Sequence, residues 1–304
     1  MDGLNQKQTE RILIDSNAVV TVTDMWHIVE VQHMTKRNYG QHIQKIDKDH
    51  YVVLETGELL EFNKSENRGD NENSLRQTFK KMRYLINNNF RGNPNELHIT
   101  MTYAENMTDT VKLYEDFKNF MKRLRYRFKG ISTVDYMNVV EPQRRGAWHV
   151  HMLIRFNDLD KVYIPNKDLA EMWGQGFVTI KSLKDVDNIG AYLSAYLTDL
   201  DIGEVEGMDF SDLTKINGRE VQVKRVDGKE KRFIKGGRLW MYPPGMNLFR
   251  KSKGIVYPDR IDMAYEDIKR VVGSAEPHYS KQYSVERDDF KNTITYEQYN
   301  LKRS

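Results

Sequence analysis

An apolar run interrupted by two histidines, Trp148-His149-Val150-His151-Met152-Leu153-Ile154-Arg155, constrains this chain more than any other segment. Its composition is typical of a buried β-strand. Because side chains alternate along a strand, His149 and His151 share one face while Val150 points to the other. Two imidazoles held side by side on a rigid element form half of a divalent-metal site. Histidines in strands also occur as ordinary core or surface residues, so a further ligand is needed to support the metal interpretation.

A carboxylate from the preceding segment can complete such a site. Residues 136–141 have the pattern of a second strand, and residues 142–146 that of a turn into the histidine strand. In a symmetric hairpin Glu141 lies directly opposite His149, on the same face. We therefore predict that Glu141, His149 and His151 bind Mn²⁺ or Mg²⁺, although two imidazoles could also hold Zn²⁺ or Ni²⁺. A register slip of one residue would leave Glu141 on the far face, as an exposed residue before a turn.

The composition excludes several classes of protein. Cysteine is absent, which excludes disulfides, thiolate metal sites and a cysteine nucleophile. The mean hydropathy is −0.72, and no apolar run reaches the ~18 residues of a transmembrane helix. Because the first residues contain no apolar signal core, we expect a cytoplasmic protein with no membrane partner. The sequence also lacks Gly-x-x-x-x-Gly-Lys-Ser/Thr, the phosphate-binding loop of ATP-driven motors.

The order of the predicted elements after residue 92 indicates the fold class. These are a strand over Leu97–Tyr103, a helix from Thr108 or Asp109 to about Lys129, the two hairpin strands, a helix near Lys167–Trp173 and a strand over Phe177–Ile180. Strand, helix, strand, strand, helix, strand is the ferredoxin-like order. It predicts an α+β fold in which helices cover one face of an antiparallel sheet. A further helix is predicted to begin at Asp185 or Asp187.

The segment Arg91-Gly92-Asn93-Pro94-Asn95 is the best candidate for a domain boundary. Before it, short strands are expected near residues 20–31 and 50–62, with a turn at Thr56-Gly57-Glu58, followed by a helix over about 74–88. We expect three parts: an N-terminal accessory region (1–92), a domain that carries the chemistry (93–200) and a basic C-terminal region (201–304).

Basic residues cluster in two segments, although the formal net charge is only +3. Residues 215–254 contain twelve Lys or Arg against three Asp or Glu, residues 112–129 contain seven against two, and residues 199–212 contain six acidic residues and no basic ones. The first segment also contains four aromatic residues, Phe233, Trp240, Tyr242 and Phe249. Cations beside aromatic rings suit single-stranded nucleic acid, which offers phosphates and unstacked bases. A solvated surface over ordinary core aromatics explains the same composition.

Tyr192 and Tyr196 are four residues apart and therefore share one face of the predicted helix. Aromatic residues at this spacing usually belong to a core. Beside a metal site they have a second use, because a tyrosine can attack a phosphate that a metal polarises, despite a free pKa of about 10. The phosphotyrosine bond conserves the energy of the broken phosphodiester, so a free 3′-hydroxyl can rejoin it without ATP. Two tyrosines on one face allow two alternating attacks.

Three short segments, in this order, resemble the motifs of a known family. They are His98–Tyr103 (HITMTY), Trp148–Ile154 (WHVHMLI) with Glu141 upstream, and Ile189–Leu197 (IGAYLSAYL). Together they resemble the HUH endonucleases of the rolling-circle replication initiator (Rep) family, which small plasmids and phages of bacteria carry. The histidine motif precedes the tyrosines, as in replication initiators, whereas conjugative relaxases place the tyrosine near the N-terminus. The resemblance covers roughly residues 95–255.

The resemblance implies a metal-dependent enzyme that nicks single-stranded or hairpin origin DNA and later rejoins it. Tyr192 and Tyr196 are then the nucleophiles, and the intermediate is a 5′-phosphotyrosine. A host helicase is the expected partner in trans. His98, on the same strand face as Thr100 and Thr102, is a further candidate for a metal ligand or a phosphate contact. The residues expected to contact DNA are Thr100, Thr102, His98, Lys181, Arg238, Trp240 and Tyr242, with Trp240 or Tyr242 stacking on bases.

One feature departs from the family pattern. The wider family commonly has a lysine three residues after the tyrosine, but those positions here are Ala195 and Asp199. Lys181, Lys184 or a C-terminal arginine must then balance the phosphate charge. The departure also removes the usual clue to which tyrosine attacks first.

Three other functions explain part of the sequence. A HUH transposase shares the nicking and joining chemistry and can carry paired tyrosines, although the chain length and the lack of an obvious zinc-binding segment favour an initiator. A two-histidine phosphoesterase would use the H-x-T triplets at residues 33–35 and 98–100, but it leaves the predicted metal site and the tyrosines without a role. A DNA-binding protein with an inactive site is supported only by the missing lysines.

Overall fold

The computed structural model describes residues 14–37, 42–62, 72–143, 145–204, 221–226, 229–243, 246–287 and 290–303. The chain divides into two compact units, residues 1–64 with 258–304, and residues 65–257. This grouping differs from the three parts expected from the sequence, because the first and last strands of the chain pair with each other. None of the described helices is long and apolar enough to cross a membrane.

Strands and helices alternate along most of the chain. The strands are β1 (Val19–Met25), β2 (Ile28–Met34), β3 (Ile43–Lys45), β4 (His50–Val53), β5 (Leu59–Glu61), β6 (Glu96–Tyr103), β7 (Val134–Pro142), β8 (Trp148–Phe156), β9 (Gly176–Ser182), β10 (Leu200–Asp201), β11 (Val221–Val226), β12 (Lys229–Ile234), β13 (Phe249–Lys251), β14 (Arg260–Ala264), β15 (Tyr279–Arg287) and β16 (Phe290–Asn300). The helices are α1 (Glu72–Asn89), α2 (Thr110–Arg127), α3 (Asn166–Trp173), α4 (Ile189–Thr198) and α5 (Lys269–Val272). Short 3₁₀ turns span Ile202–Glu204, Leu239–Met241 and Tyr265–Ile268.

The unit that contains both chain ends is built on an antiparallel sheet in the order β14-β1-β2-β16-β15. Alternate residues of β1 and β2 line one face of this sheet and are buried: Val20, Val22, Val29 and Val31. A second sheet in this unit has the order β3-β4-β5. The turn predicted at residues 56–58 lies between β4 and β5, where Gly57 has a φ of 71° that suits glycine.

The unit formed by residues 65–257 contains the sheet that carries the two histidines. Its strands have the order β13-β7-β8-β6-β9, and all neighbours are antiparallel. Apart from β13, this is the strand order of a ferredoxin-like fold built from β6, β7, β8 and β9. The α+β class and the antiparallel sheet expected from the sequence are therefore confirmed. A smaller sheet in the order β10-β12-β11 belongs to the same unit.

Helices α2 and α3 cover the face of this sheet that points away from the histidines. Asp109 caps α2, because its side chain accepts hydrogen bonds from the backbone N–H groups of the first turn. Tyr103 of β6, on this face, donates a hydrogen bond to Asp116 of α2 (3.0 Å). Trp173 of α3 packs against the rings of Tyr103 and Phe120, at 5.0 and 6.1 Å between centroids. The buried stripe of α2 consists of Leu113, Phe117, Phe120, Met121 and Leu124.

Helices α1 and α4 lie on the histidine-bearing face. Arg155 of β8 donates a hydrogen bond to the carbonyl oxygen of Asn89 at the end of α1 (2.7 Å), and α4 carries Tyr192 to the ring of His98. The predicted start of α4 at Asp185 or Asp187 is wrong. Asn188 is the cap instead, because its side chain accepts from the N–H of Ala191.

The segment after residue 200 belongs to the body of this unit. β13 pairs with β7 as the fifth strand of the sheet. Tyr242 is 1% exposed, and its hydroxyl lies 3.0 and 3.1 Å from the carbonyl oxygens of Val140 and Leu197. Residues 205–220, which include parts of the predicted acidic and basic segments, lie outside the described residues.

The docking of α4 on α1 depends on a glycine. The N–H of Gly190 donates to the side-chain oxygen of Asn87 (2.8 Å), and a Cβ at residue 190 would lie 2.8 Å from that oxygen and 3.1 Å from the carbonyl oxygen of Arg83. We predict that Gly190→Ala lowers the free energy of unfolding by about 1–3 kcal/mol, since the two backbones must separate. Urea unfolding measures this change. Gly203→Ala, whose Cβ would make only an ordinary 3.5 Å contact, is the control, and equal effects of the two variants would contradict the prediction.

Candidate metal and tyrosine site

The three predicted metal ligands converge on one face of the sheet. The β7–β8 pairing places Glu141 opposite His149, which confirms the predicted register. His151 follows on the same face of β8. One donor atom from each of the three side chains lies within 4.8 Å of the other two. They are the group of His and acidic residues in the described part of the chain that could hold a metal ion.

The contacts within this group are direct. Oε2 of Glu141 lies 2.7 Å from Nε2 of His151 and 3.9 Å from Nδ1 of His149. The side-chain nitrogen of Gln143 lies 3.2 Å from Nδ1 of His149. The other ring nitrogen of His149, Nε2, is buried and has no hydrogen-bond partner. A buried polar atom without a partner is costly, so this nitrogen is an available ligand position.

Burial and charge favour the protonation states that a metal ligand requires. The pKa of His149 is lowered to about 4, chiefly because burial disfavours the imidazolium. Burial alone would raise the pKa of Glu141, but the hydrogen bond to His151 and the charge of Arg238 outweigh it, and the pKa is lowered. At neutral pH the site therefore presents a carboxylate and a neutral His149, which is the form that binds metal.

The donor set fits a divalent ion. One carboxylate oxygen and two imidazole nitrogens suit first-row transition metals and Zn²⁺, and three protein ligands leave positions open for a substrate. Such a set does not identify the ion. The site can therefore bind a metal, and the choice of Mn²⁺ or Mg²⁺ remains a prediction.

Arg238 is a neighbour of the metal ligands. Its side chain is buried, with Nη2 lying 3.4 Å from Oε1 of Glu141. The same guanidinium donates to the carbonyl oxygens of Pro142 and Asp199, both at 3.0 Å. The carboxylate of Asp199 accepts the N–H of Gly236 at 3.1 Å. Asp199, at one family lysine position, thus holds the turn that supplies an arginine to the site, and Arg238 is not an exposed phosphate contact as predicted.

His98 lies behind His151. Its Nε2 is 3.3 Å from Nδ1 of His151, and Thr100 contacts the same Nδ1 at 3.2 Å. His98 is 2% exposed, and its pKa is lowered to about 3, chiefly by burial. The shared face of His98, Thr100 and Thr102 is confirmed by the β6–β8 register. The burial contradicts a phosphate contact by His98, which instead orients a metal ligand as outer histidine partners do.

One of the two predicted nucleophiles lies close to this cluster. The rings of Tyr192 and His98 meet edge to face with 6.0 Å between centroids, and the rings of His98 and His151 are 5.5 Å apart. Tyr192 is thus one side chain away from a metal ligand. Tyr196 lies one turn later in α4, but its side chain lies outside the described part of the chain.

The remaining predicted DNA contacts divide into two groups. Lys181 of β9 pairs with His98 in register, and its positive charge contributes to the lowered pKa of that histidine. Trp240 is half-buried and packs against Leu200 and Ile234. The prediction that Tyr242 stacks on bases is wrong, because that ring is fully buried.

The sequence reasoning missed Phe177. This residue pairs with Thr102 and therefore lies on the ligand-bearing face, where its side chain is 70% exposed. β9 is an edge strand, so the ring is accessible from the side of the sheet. The alternation of Phe177, Thr179 and Lys181 along a polar strand could have identified this surface.

The comparisons with known proteins agree with this geometry. Residues 96–201 match the family model of the replication-associated protein ORF2. The matched segment begins with β6 and ends with β10, so it contains the three candidate ligands and both tyrosines. The match supports a replication initiator protein. Neither the curated proteins nor the solved structures contained a match.

We predict that the protein binds Mn²⁺ and that His149→Ala and Glu141→Ala each weaken this binding at least about tenfold, because each removes a ligand. Isothermal titration calorimetry measures the affinity. His278→Ala removes a histidine outside the site and is the control. Equal Mn²⁺ affinity in wild type and both site variants would show that the ion does not bind here.

We predict that Arg238→Met lowers the free energy of unfolding at pH 7 by about 3–5 kcal/mol, because it leaves a buried carboxylate without its cation. Arg232→Met removes an exposed charge and is the control. Because the pKa of Glu141 is lowered from its ordinary 4.5 in the folded protein, its ionised form contributes stability above that pH, which is lost as the pH falls. The difference between the two variants should therefore narrow below about pH 4. Urea unfolding at several pH values measures it, and a difference that does not change with pH would contradict the role of the Glu141 charge.

Proposed function

We propose that this protein is a rolling-circle replication initiator of the HUH endonuclease type, which nicks single-stranded origin DNA through a tyrosine and later rejoins it. One observation carries the proposal. Within the segment matched by the replication-associated family model, the group Glu141–His149–His151 and the helix of Tyr192 and Tyr196 lie on the same face of one sheet. The family match favours initiation over transposition by the same chemistry.

The proposed reaction exchanges one phosphodiester for another. The hydroxyl oxygen of Tyr192 or Tyr196 attacks the phosphorus, the bond to the 3′-oxygen breaks, and the 3′-oxygen leaves with a proton as a free hydroxyl. The 5′ end remains attached as phosphotyrosine until a 3′-hydroxyl attacks it and restores the tyrosine. A divalent cation held by the three ligands would polarise the phosphate during both steps.

The protein's own residues position the strand in this proposal. Thr100 and Thr102 offer hydroxyl groups on the ligand face, and Lys181 supplies a cation in place of the family lysine. The exposed ring of Phe177 is suited to stack on an unpaired base. The DNA must be unpaired, because a phosphate in a stacked duplex cannot reach both the tyrosine and the ligands. Since the chain has no phosphate-binding loop for ATP, we assign unwinding to a helicase supplied in trans.

We predict that the double variant Tyr192→Phe/Tyr196→Phe forms no covalent adduct with single-stranded DNA from the origin of its replicon, because both nucleophilic oxygens are removed. Adduct formation in Mn²⁺ is measured by the shift of the protein on a denaturing gel. The two single variants show which tyrosine attacks first. His149→Ala should also abolish the adduct while largely keeping DNA binding.

Tyr163→Phe is the matched control, since Tyr163 is 83% exposed and lies outside the site. It should form the adduct as the wild type does. An adduct that persists in the double variant would rule out these nucleophiles, and cleavage by His149→Ala at the normal rate would rule out this metal site.

A further inference from the structure

Helix α2 carries an unusual concentration of positive charge on its solvent side. Over residues 117–129 the chain has six basic residues and no acidic one. All six are exposed: Lys118, Lys122, Arg123, Arg125, Arg127 and Lys129. None of the six forms an ion pair with any described residue, whereas Lys112 near the start of the helix is paired with Asp116 at 2.8 Å.

The spacing of these cations orders them on the helix surface. Lys118, Lys122 and Arg125 occupy positions i, i+4 and i+7 and therefore form one row, and Arg123 and Arg127 form a second. The first row spans about 10 Å at 1.5 Å per residue, which corresponds to about three base-pair steps. Like charges at these spacings repel each other, so the rows cost stability unless an anionic partner compensates them.

The row lies on the side of the sheet opposite to the metal site. The buried stripe of α2 faces Tyr103 and Tyr136, which alternate with the residues of the ligand-bearing face. The solvent side of α2 therefore points away from Glu141. A strand held at the tyrosines and a DNA segment bound on α2 contact different surfaces.

The aromatic rings beside the row are already covered. The guanidinium of Arg250 lies 3.4 Å from the ring centre of Tyr114, that of Arg125 lies 5.8 Å from Tyr136, and that of Arg127 lies 5.9 Å from Phe128. These rings have arginines where a base would stack. The surface therefore offers cations for phosphates and few platforms for bases, which suits the backbone of a duplex better than an unpaired strand.

We propose that the cationic row Lys118–Lys122–Arg125 is a second DNA-binding surface, which takes the phosphate backbone of double-stranded DNA without regard to sequence. The inference rests on the proposed function only in taking DNA as the partner. It separates two tasks, since the ligand face handles the unpaired strand and α2 holds flanking duplex.

The test uses the full chain and a duplex of about 30 base pairs of arbitrary sequence, with binding followed by fluorescence anisotropy at several salt concentrations. We expect Lys122→Glu/Arg125→Glu to weaken duplex binding at least tenfold and to reduce the slope of log affinity against log salt by about 2, at ~0.9 per lost phosphate contact. The control, Lys45→Glu/Lys48→Glu, makes the same change in net charge on exposed lysines of the other unit and should bind within about twofold of wild type.

Two outcomes overturn the proposal: an unchanged duplex affinity in the α2 variant, or an equal loss in the control. A third variant separates duplex from single strand. Tyr126 is 80% exposed beside the row, and a large loss of binding in Tyr126→Ala would show base stacking and overturn the assignment to duplex. Mn²⁺ affinity and thermal unfolding should match wild type in the α2 variant. Because the probe contains no origin, this result does not depend on covalent adduct formation, which tests the proposed function separately.

Discussion

The pairing of β7 with β8 is the constraint on which the candidate site depends. One face of the pair packs under α2 with Val140, Val150 and Met152 buried, and the other face carries Glu141, His149 and His151. A slip of one residue would place the polar side chains in the apolar core and the apolar side chains at the site. Each buried polar group without a partner costs about 1–3 kcal/mol. The core that stabilises the sheet therefore also enforces the register that assembles the ligands.

A buried carboxylate at the centre of the site needs compensation, and the chain supplies it from distant segments. His151 lies 2.7 Å from Glu141 on one side, and Arg238 lies 3.4 Å from it on the other. Arg238 reaches this position because Asp199 anchors its turn and Tyr242 is buried between two carbonyl groups. The C-terminal part of the unit thus stabilises the charge of a ligand that lies about a hundred residues earlier.

Local and alternating patterns made part of this predictable from the sequence. The alternation of His149 and His151, the symmetric hairpin and the order of elements led to the confirmed register and the confirmed α+β fold. The errors concern contacts between residues far apart in the chain. Arg238 and Tyr242 have the composition of a nucleic-acid surface, but carbonyl groups at positions 140, 142, 197 and 199 accept their hydrogen bonds. Composition cannot distinguish an exposed cation from one buried against carbonyl oxygens, nor show that β1 and β2 pair with β14 and β16.

The two faces of the ligand-bearing sheet impose different physical demands on a DNA partner. On the ligand face, reactivity depends on a few atoms held at short distances by hydrogen bonds that salt screens weakly, since they are buried. On the α2 side, binding comes from exposed cations whose contribution falls steeply with salt because it derives from counterion release. An arrangement of this kind lets affinity for DNA vary with ionic conditions while the geometry at the tyrosines stays the same. A single buried sheet, apolar on one side and ligand-bearing on the other, is sufficient to keep the two properties independent.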